Sequence, residues 1–147
     1  MTSTEHRQAY IDQMARDRGY VLDYHKILAV HDFDMLRQAN ELIHAVYLKE
    51  RRLDRRVKEL IFVVSLIVAR APKGHIQSHI HAALDLGVPP EEILEAIEIS
   101  LPEAGVVAFQ TGVEAWHEVV QLDRMEPTVE AYDAGRADRR GARGGEH

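Results

Sequence analysis

The sequence predicts an all-α protein, a compact bundle of about six helices. Apolar residues recur at helical spacing in the long segments, and glycine, proline or a capping side chain stands between these segments. No segment alternates polar and apolar residues over the length of a strand. The 147 residues, 46% of them hydrophobic, suffice for one core. We therefore predict a single helical domain over residues 1–130.

Two helices are predicted in the N-terminal third. Thr2 and Glu5 form a possible capping box for a helix that ends at Gly19. A longer helix begins near Asp32 or Asp34. Its apolar residues follow the helical period and are Leu36, Ala39, Leu42, Ile43, Val46 and Tyr47. The segment between Gly19 and Asp32 is assigned to neither helix.

A third helix is predicted from Arg55 to about Arg70, with Asp54 as its N-cap. Apolar residues occupy nearly its whole circumference, which indicates burial on more than one side. The segment 71–74 contains a proline and a glycine that break this helix, and the next one runs from about His75 to Leu86.

Prolines open the last two predicted helices. Pro89 and Pro90, followed by two glutamates, begin a helix that ends near Ser100. Pro102 begins the final helix, whose apolar residues include Val106, Val107, Phe109, Val113, Trp116, Val119, Val120 and Leu122. Residues 131–147 are rich in glycine and charge, so we expect a disordered tail there.

Charge and cysteine content exclude several classes of function. The formal net charge of −6, with no basic stripe, argues against a nucleic acid or an anionic membrane as partner. The apolar run at 60–69 is too short to cross a bilayer, and the first residues lack the apolar stretch of a signal peptide, so we expect a cytoplasmic protein. The sequence contains no cysteine, which excludes disulfides and thiol redox chemistry.

Three histidines share the predicted helix within the stretch GHIQSHIHAAL, and the helical angle separates them. At 100° per residue, His79 lies about 40° from His75, within the arc of apolar side chains, whereas His81 lies at about 240° among polar ones. We predict an inward-facing pair, His75 and His79. Each buried imidazole costs about 1 to 3 kcal/mol without a partner. The pair is therefore a chemical site, or else each ring is hydrogen-bonded within the core or reaches solvent at its edge.

Glu59 is the acid most suitably placed to join this pair. On its own helix it lies close in angle to Phe62, Val63 and Leu66. Apolar surroundings disfavour the charged form of a carboxyl group, which suits a proton donor. Alternatively, Glu59 is solvated and pairs with Arg55 or Arg56.

The run from Leu53 to about Val120 resembles the carboxymuconolactone decarboxylase family and its alkylhydroperoxidase-D-like relatives. The most specific part of the resemblance is the succession His79, Ala82, Ala83, Leu84, Gly87, Glu91, Glu92 and Ile93. It implies a compact all-helical subunit that assembles into trimers or hexamers, with active sites near the subunit contacts. In the peroxidase branch a CxxC pair precedes the matching histidine by three residues. Pro72 and His75 occupy those positions here, so a thiol peroxidase is excluded.

The decarboxylase branch implies a lyase or isomerase that needs no cofactor and acts on a small carboxylated lactone or related unsaturated acid, in aromatic catabolism. In this hypothesis His79 is the general acid/base, His75 stabilises negative charge or orients the substrate, and Glu59 tunes the histidines. The family glutamate aligns with Glu59 only if one residue is inserted before His75. Arg70 is the candidate for holding the substrate carboxylate, with Arg56 and Lys73 as alternatives.

Two other functions stay open. Histidines at i and i+4 can share a divalent metal ion, with Glu59 or a residue of another subunit completing the coordination. The same scaffold could also be a non-catalytic oligomer that binds a small molecule or a partner protein.

Overall fold

The computed structural model describes residues 3–120, and the regular elements in that range are all helical. Seven α-helices follow one another: α1 (Thr4–Arg18), α2 (Asp23–His31), α3 (Phe33–Ile43), α4 (Arg55–Val68), α5 (Lys73–Asp85), α6 (Pro90–Ala104) and α7 (Val106–Val119). A π-helical turn, His44–Leu48, extends α3. The predicted all-α fold is confirmed. The predicted tail at 131–147 and the domain end at 130 lie outside the described residues.

Capping side chains fix the start of three helices. Asp32 accepts a hydrogen bond from the backbone N–H of Met35 at the start of α3, and Asp54 does the same for Val57 at the start of α4, both as predicted. Ser3 is the N-cap of α1. Thr2, the predicted cap, lies outside the described residues.

Two elements differ from the prediction. The segment after Gly19 contains α2, whose N-cap residue, Leu22, has a side chain that cannot cap and whose apolar residues Ile27 and Val30 are exposed, so no amphipathic period marks it. In addition, α6 continues through Pro102 to Ala104. The prediction that Pro102 starts the last helix is wrong because Gly105, with φ of 82°, provides the break instead.

The main core lies between α4, α5, α6 and α7. Its fully buried residues include Val63, Ile67, Ile76, Ile80, Ala83, Ile93, Ile97 and Ala115. Helix α4 packs against the other three helices, which confirms its predicted burial on more than one side. Its apolar residues Val57, Ile61 and Val68 nevertheless remain exposed.

The N-terminal helices form a smaller core of their own. Ile11 and Met14 of α1 pack with Ala29 of α2 and Leu36 of α3. Leu42 and Val46, predicted on the same apolar face as Leu36, are exposed. No helix within residues 3–120 is both long and apolar enough to cross a membrane.

Candidate active site

Four segments bring a carboxylate, an imidazole and two phenols together. Glu59 comes from the second turn of α4 and His79 from the middle of α5. Tyr47 comes from the π-helical turn, and Tyr20 from the loop that joins α1 to α2. Arg55, one turn before Glu59 on α4, completes the cluster.

The centre of the cluster is a buried pair. Oε2 of Glu59 lies 2.7 Å from Nδ1 of His79, and their side chains are 0% and 1% exposed. Oε1 of Glu59 accepts hydrogen bonds from Nε of Arg55, at 2.8 Å, and from the hydroxyl of Tyr47. Because the carboxylate meets donors on both oxygens, Nδ1 of His79 carries the proton of their hydrogen bond. With that proton on Nδ1, the ring presents Nε2 as a hydrogen-bond acceptor.

Aromatic side chains surround the His79 ring. Phe62 stacks on one face, with ring centroids 4.7 Å apart and planes 6° apart. The hydroxyl of Tyr20 donates to Nε2 at 3.2 Å. His75 lies one helical turn away, with ring centroids 5.5 Å apart. The imidazole is therefore fixed in orientation by Glu59 and Phe62, with Nε2 directed towards Tyr20.

Arg55 connects the pair to the N-terminal helices. Its Nη2 atom donates to the carbonyl oxygen of Arg18, at 3.0 Å, and to the hydroxyl of Tyr47, at 2.9 Å. Its guanidinium also lies 4.2 Å from the centre of the Tyr47 ring. Burial, followed by the hydrogen bond to Glu59, raises the pKa of Tyr47 above its usual value. Tyr47 is thus a protonated donor at neutral pH.

A comparison with protein-family models matches residues 34–118 to the carboxymuconolactone decarboxylase family, over more than half of the chain. The chain belongs to this family. The matched region contains Glu59, His75 and His79, but it begins after α1, α2 and Tyr20. No curated protein and no solved structure gives a significant match.

The three histidines of α5 lie as the helical angles predict. His79 is fully buried, His75 is half-buried and His81 is exposed. Burial, and the nearby His79 ring, lower the pKa of His75, so this imidazole is neutral at pH 7. Glu59 is buried, so the alternative of a solvated carboxylate is wrong, although the pairing with Arg55 that it included is present.

The cationic candidates for substrate binding, Arg70 and Lys73, have their polar contacts away from Glu59 and His79. Arg70 follows the last turn of α4, where it is exposed and donates to the carbonyl of Ala104 at 3.4 Å. Eleven residues separate it from Glu59, which is about 16 Å along a helix axis. Lys73 pairs with Glu118 at 2.9 Å. A substrate role for Arg70 therefore stays a prediction.

Sequence patterns identify only part of this decarboxylase-family site. Arg55 could be found because it stands four residues before Glu59, the spacing of a helical ion pair. The helical period predicts Tyr47 only as a core residue, and nothing in its spacing reveals its hydroxyl contact. Tyr20 lies 59 positions from His79, so no local pattern connects the two.

The described residues do not form a complete metal site. Within residues 3–120, no three His, Asp or Glu side chains are grouped so that they could hold a metal ion. Both nitrogens of His79 are engaged, Nδ1 by Glu59 and Nε2 by Tyr20. A metal shared by His75 and His79 would need Tyr20 to move and a further ligand from outside the described residues 3–120.

Proposed function

We propose that this member of the carboxymuconolactone decarboxylase family is a cofactor-independent lyase or isomerase. Its substrate would be a small carboxylated lactone or a related unsaturated acid of aromatic catabolism, and it would act in the cytoplasm. The observation that carries the proposal is the 2.7 Å contact between Glu59 and His79 in a site closed to solvent. Family membership supports decarboxylase-like or alkylhydroperoxidase-D-like chemistry, and the cysteine-free sequence favours the former.

The mechanism assigns a separate role to each side chain. When the C–C bond breaks and carbon dioxide leaves, the electron pair delocalises towards a substrate carbonyl, and an acid must then protonate the product. His79 supplies this acid/base function through the proton it takes up at Nε2. Glu59 accepts from Nδ1 and stabilises the imidazolium. His75, neutral and half-buried, donates to the developing negative charge or orients the substrate.

We further propose that the protein is a homo-oligomer, a trimer or hexamer, with Arg70 near a subunit contact. Val106 and Val107 at the start of α7 are 67% and 70% exposed, which is unusual for adjacent apolar residues. Arg70 lines a cavity together with Val107 and Thr111. Burial of this surface would place the Arg70 guanidinium beside a neighbouring subunit, where it could hold a substrate carboxylate.

Replacement of His79 by glutamine tests the function. We expect turnover of a panel of carboxylated lactones and unsaturated acids to fall at least about 100-fold, the usual contribution of an acid–base residue. His81→Gln, an exposed position on the same helix, is the matched control and should keep full activity. Unchanged turnover in His79→Gln would remove the proposal. Binding of these acids by the native protein without turnover would favour the non-catalytic alternative.

A further inference from the structure

The buried position of His79 raises the question of how it reaches a substrate. Its side chain is only 1% exposed, Glu59 occupies Nδ1 and Phe62 covers one ring face. Among residues 3–120, the hydroxyl of Tyr20 is the one group hydrogen-bonded to Nε2. Tyr20 itself is half-buried, so it is more accessible to solvent than the imidazole to which it is bonded.

We propose that Tyr20 is a catalytic residue, the outer member of a relay that runs from Glu59 through His79 to the Tyr20 hydroxyl. The hydroxyl lies 3.2 Å from Nε2, and Nδ1 lies 2.7 Å from the carboxylate. In this order the carboxylate orients the imidazole and stabilises its charged form, while a proton passes between Nε2 of the imidazole and the hydroxyl. This inference rests on the proposed function and identifies the group of the relay that contacts the substrate.

The proton transfer balances without any further reactant. Loss of carbon dioxide leaves an electron pair on the substrate, and the Tyr20 hydroxyl gives its proton to that carbon, so that a C–H bond forms. The phenol oxygen at the same time takes the proton from Nε2 of the His79 imidazolium. Tyr20 ends as a phenol and His79 with its single proton on Nδ1, as in the resting site, and Nε2 takes up a proton from water before the next turnover.

Contacts of the residues just before Tyr20 fix its position beside His79. Gly19 adopts φ of 86° to end α1, and the carbonyl of Arg18 accepts from Arg55. The buried guanidinium of Arg18 bonds to Nε2 of His25 at 3.2 Å. Arg55 therefore positions both ends of the relay, because it also donates to Glu59.

The protonation of Tyr20 agrees with a donor role. Burial raises the pKa of its phenol, although the charge of Arg18 opposes this effect. Tyr20 thus remains a phenol at neutral pH. The residue also lies outside the matched region 34–118, so the relay combines a family-derived pair with a hydroxyl from the preceding helices.

The test compares Tyr20→Phe with Tyr24→Phe, which removes a hydroxyl from a tyrosine that is 49% exposed. Both variants keep the aromatic ring, and circular dichroism should show both folded. We expect kcat of Tyr20→Phe to fall about 100-fold with KM within about twofold, because the lost group acts on the proton and not on binding. Tyr24→Phe should match the native protein.

A second measurement needs no substrate. The ¹⁵N chemical shift of Nε2 in His79 should move in Tyr20→Phe and stay unchanged in Tyr24→Phe, because only Tyr20 donates to that nitrogen. An unmoved shift would overturn the inference whatever the activity.

Turnover measurements distinguish an error about the role of Tyr20 from an error about the proposed function. If Tyr20→Phe keeps turnover while His79→Gln loses it, the inference is overturned and the proposed function stands. If the native protein turns over no acid in the panel, the proposed function is overturned, and the catalytic role of Tyr20 with it.

Discussion

Replacing Glu59 with glutamine removes a charge from the centre of the site with almost no change in shape. Three donors meet the two carboxylate oxygens: Nε of Arg55, the hydroxyl of Tyr47 and Nδ1 of His79. A glutamine side chain offers one acceptor oxygen and places an amide N–H₂ group at the other position. At least one of the three donors must then face another donor.

The expected loss of stability follows from these contacts. Removing one partner of a buried ion pair costs about 3 to 5 kcal/mol, much of it from the charge left behind. The Arg55 side chain is 21% exposed and keeps its bonds to the carbonyl of Arg18 and to Tyr47, so its charge is not stranded. We therefore expect the lower end, a loss of about 3 kcal/mol in the free energy of unfolding.

Urea unfolding followed by circular dichroism at pH 7 measures this loss directly. The matched control is Glu118→Gln, which removes the carboxylate of a half-exposed pair with Lys73 and should leave the midpoint unchanged. A loss below about 1 kcal/mol in Glu59→Gln, with the slope of the transition unchanged, would refute the view that the buried carboxylate organises the cluster.

Further predictions concern packing, pH, substrate binding and metal content. In Gly112→Ala the new Cβ would lie 2.5 Å from Cδ1 of Ile67 and 3.0 Å from Cγ2 of Ile97, so overpacking should outweigh the better helix propensity. We expect a net loss of about 1 to 2 kcal/mol, partly restored by Ile67→Val, and thermal unfolding that shows a gain would contradict this. Burial, together with the charge of the neighbouring arginine, lowers the pKa of His25 from 6.5 to about 4. The unfolded chain therefore binds more protons between these values, and stability should fall by about 3 kcal/mol as pH drops from 7 to 4. Urea titrations across this range should show a shallower fall in His25→Asn. If Arg70 holds the substrate carboxylate, Arg70→Ala should raise KM about tenfold at unchanged kcat, and an unchanged KM removes that role. Elemental analysis of protein purified without an affinity tag should find less than about 0.1 metal ion per chain at full activity, whereas stoichiometric zinc or iron would favour the metal-site alternative.

The sequence contains enough information for the helices and for the central pair of the site. His79 and Glu59 lie on long helices of regular period, where 100° per residue gives the direction of a side chain reliably. The burial of His79 and the exposure of His81 follow from that angle alone. The carboxyl group that meets His79 could be expected because Glu59 lies on an otherwise apolar arc.

Other parts of the site depend on irregular or distant structure. Tyr47 lies in a π-helical turn, whose wider period changes the direction of every side chain after Ile43. A count at 3.6 residues per turn therefore places Val46 inside, although it is exposed. Tyr20 follows a left-handed glycine, and its position depends on how α1 packs against residues far along the chain. Such contacts produce no periodic pattern in the sequence.

The guanidinium of Arg55 donates both to the backbone carbonyl of Arg18, at the end of α1, and to the carboxylate of Glu59 on α4. Docking of the N-terminal helices and assembly of the reactive centre are therefore energetically linked, and each strengthens the other. A fragment trimmed to residues 34–118 would lose that carbonyl together with the Tyr20 phenol, and the His79 ring would become exposed to water. The matched family region and the cluster around His79 thus have different boundaries.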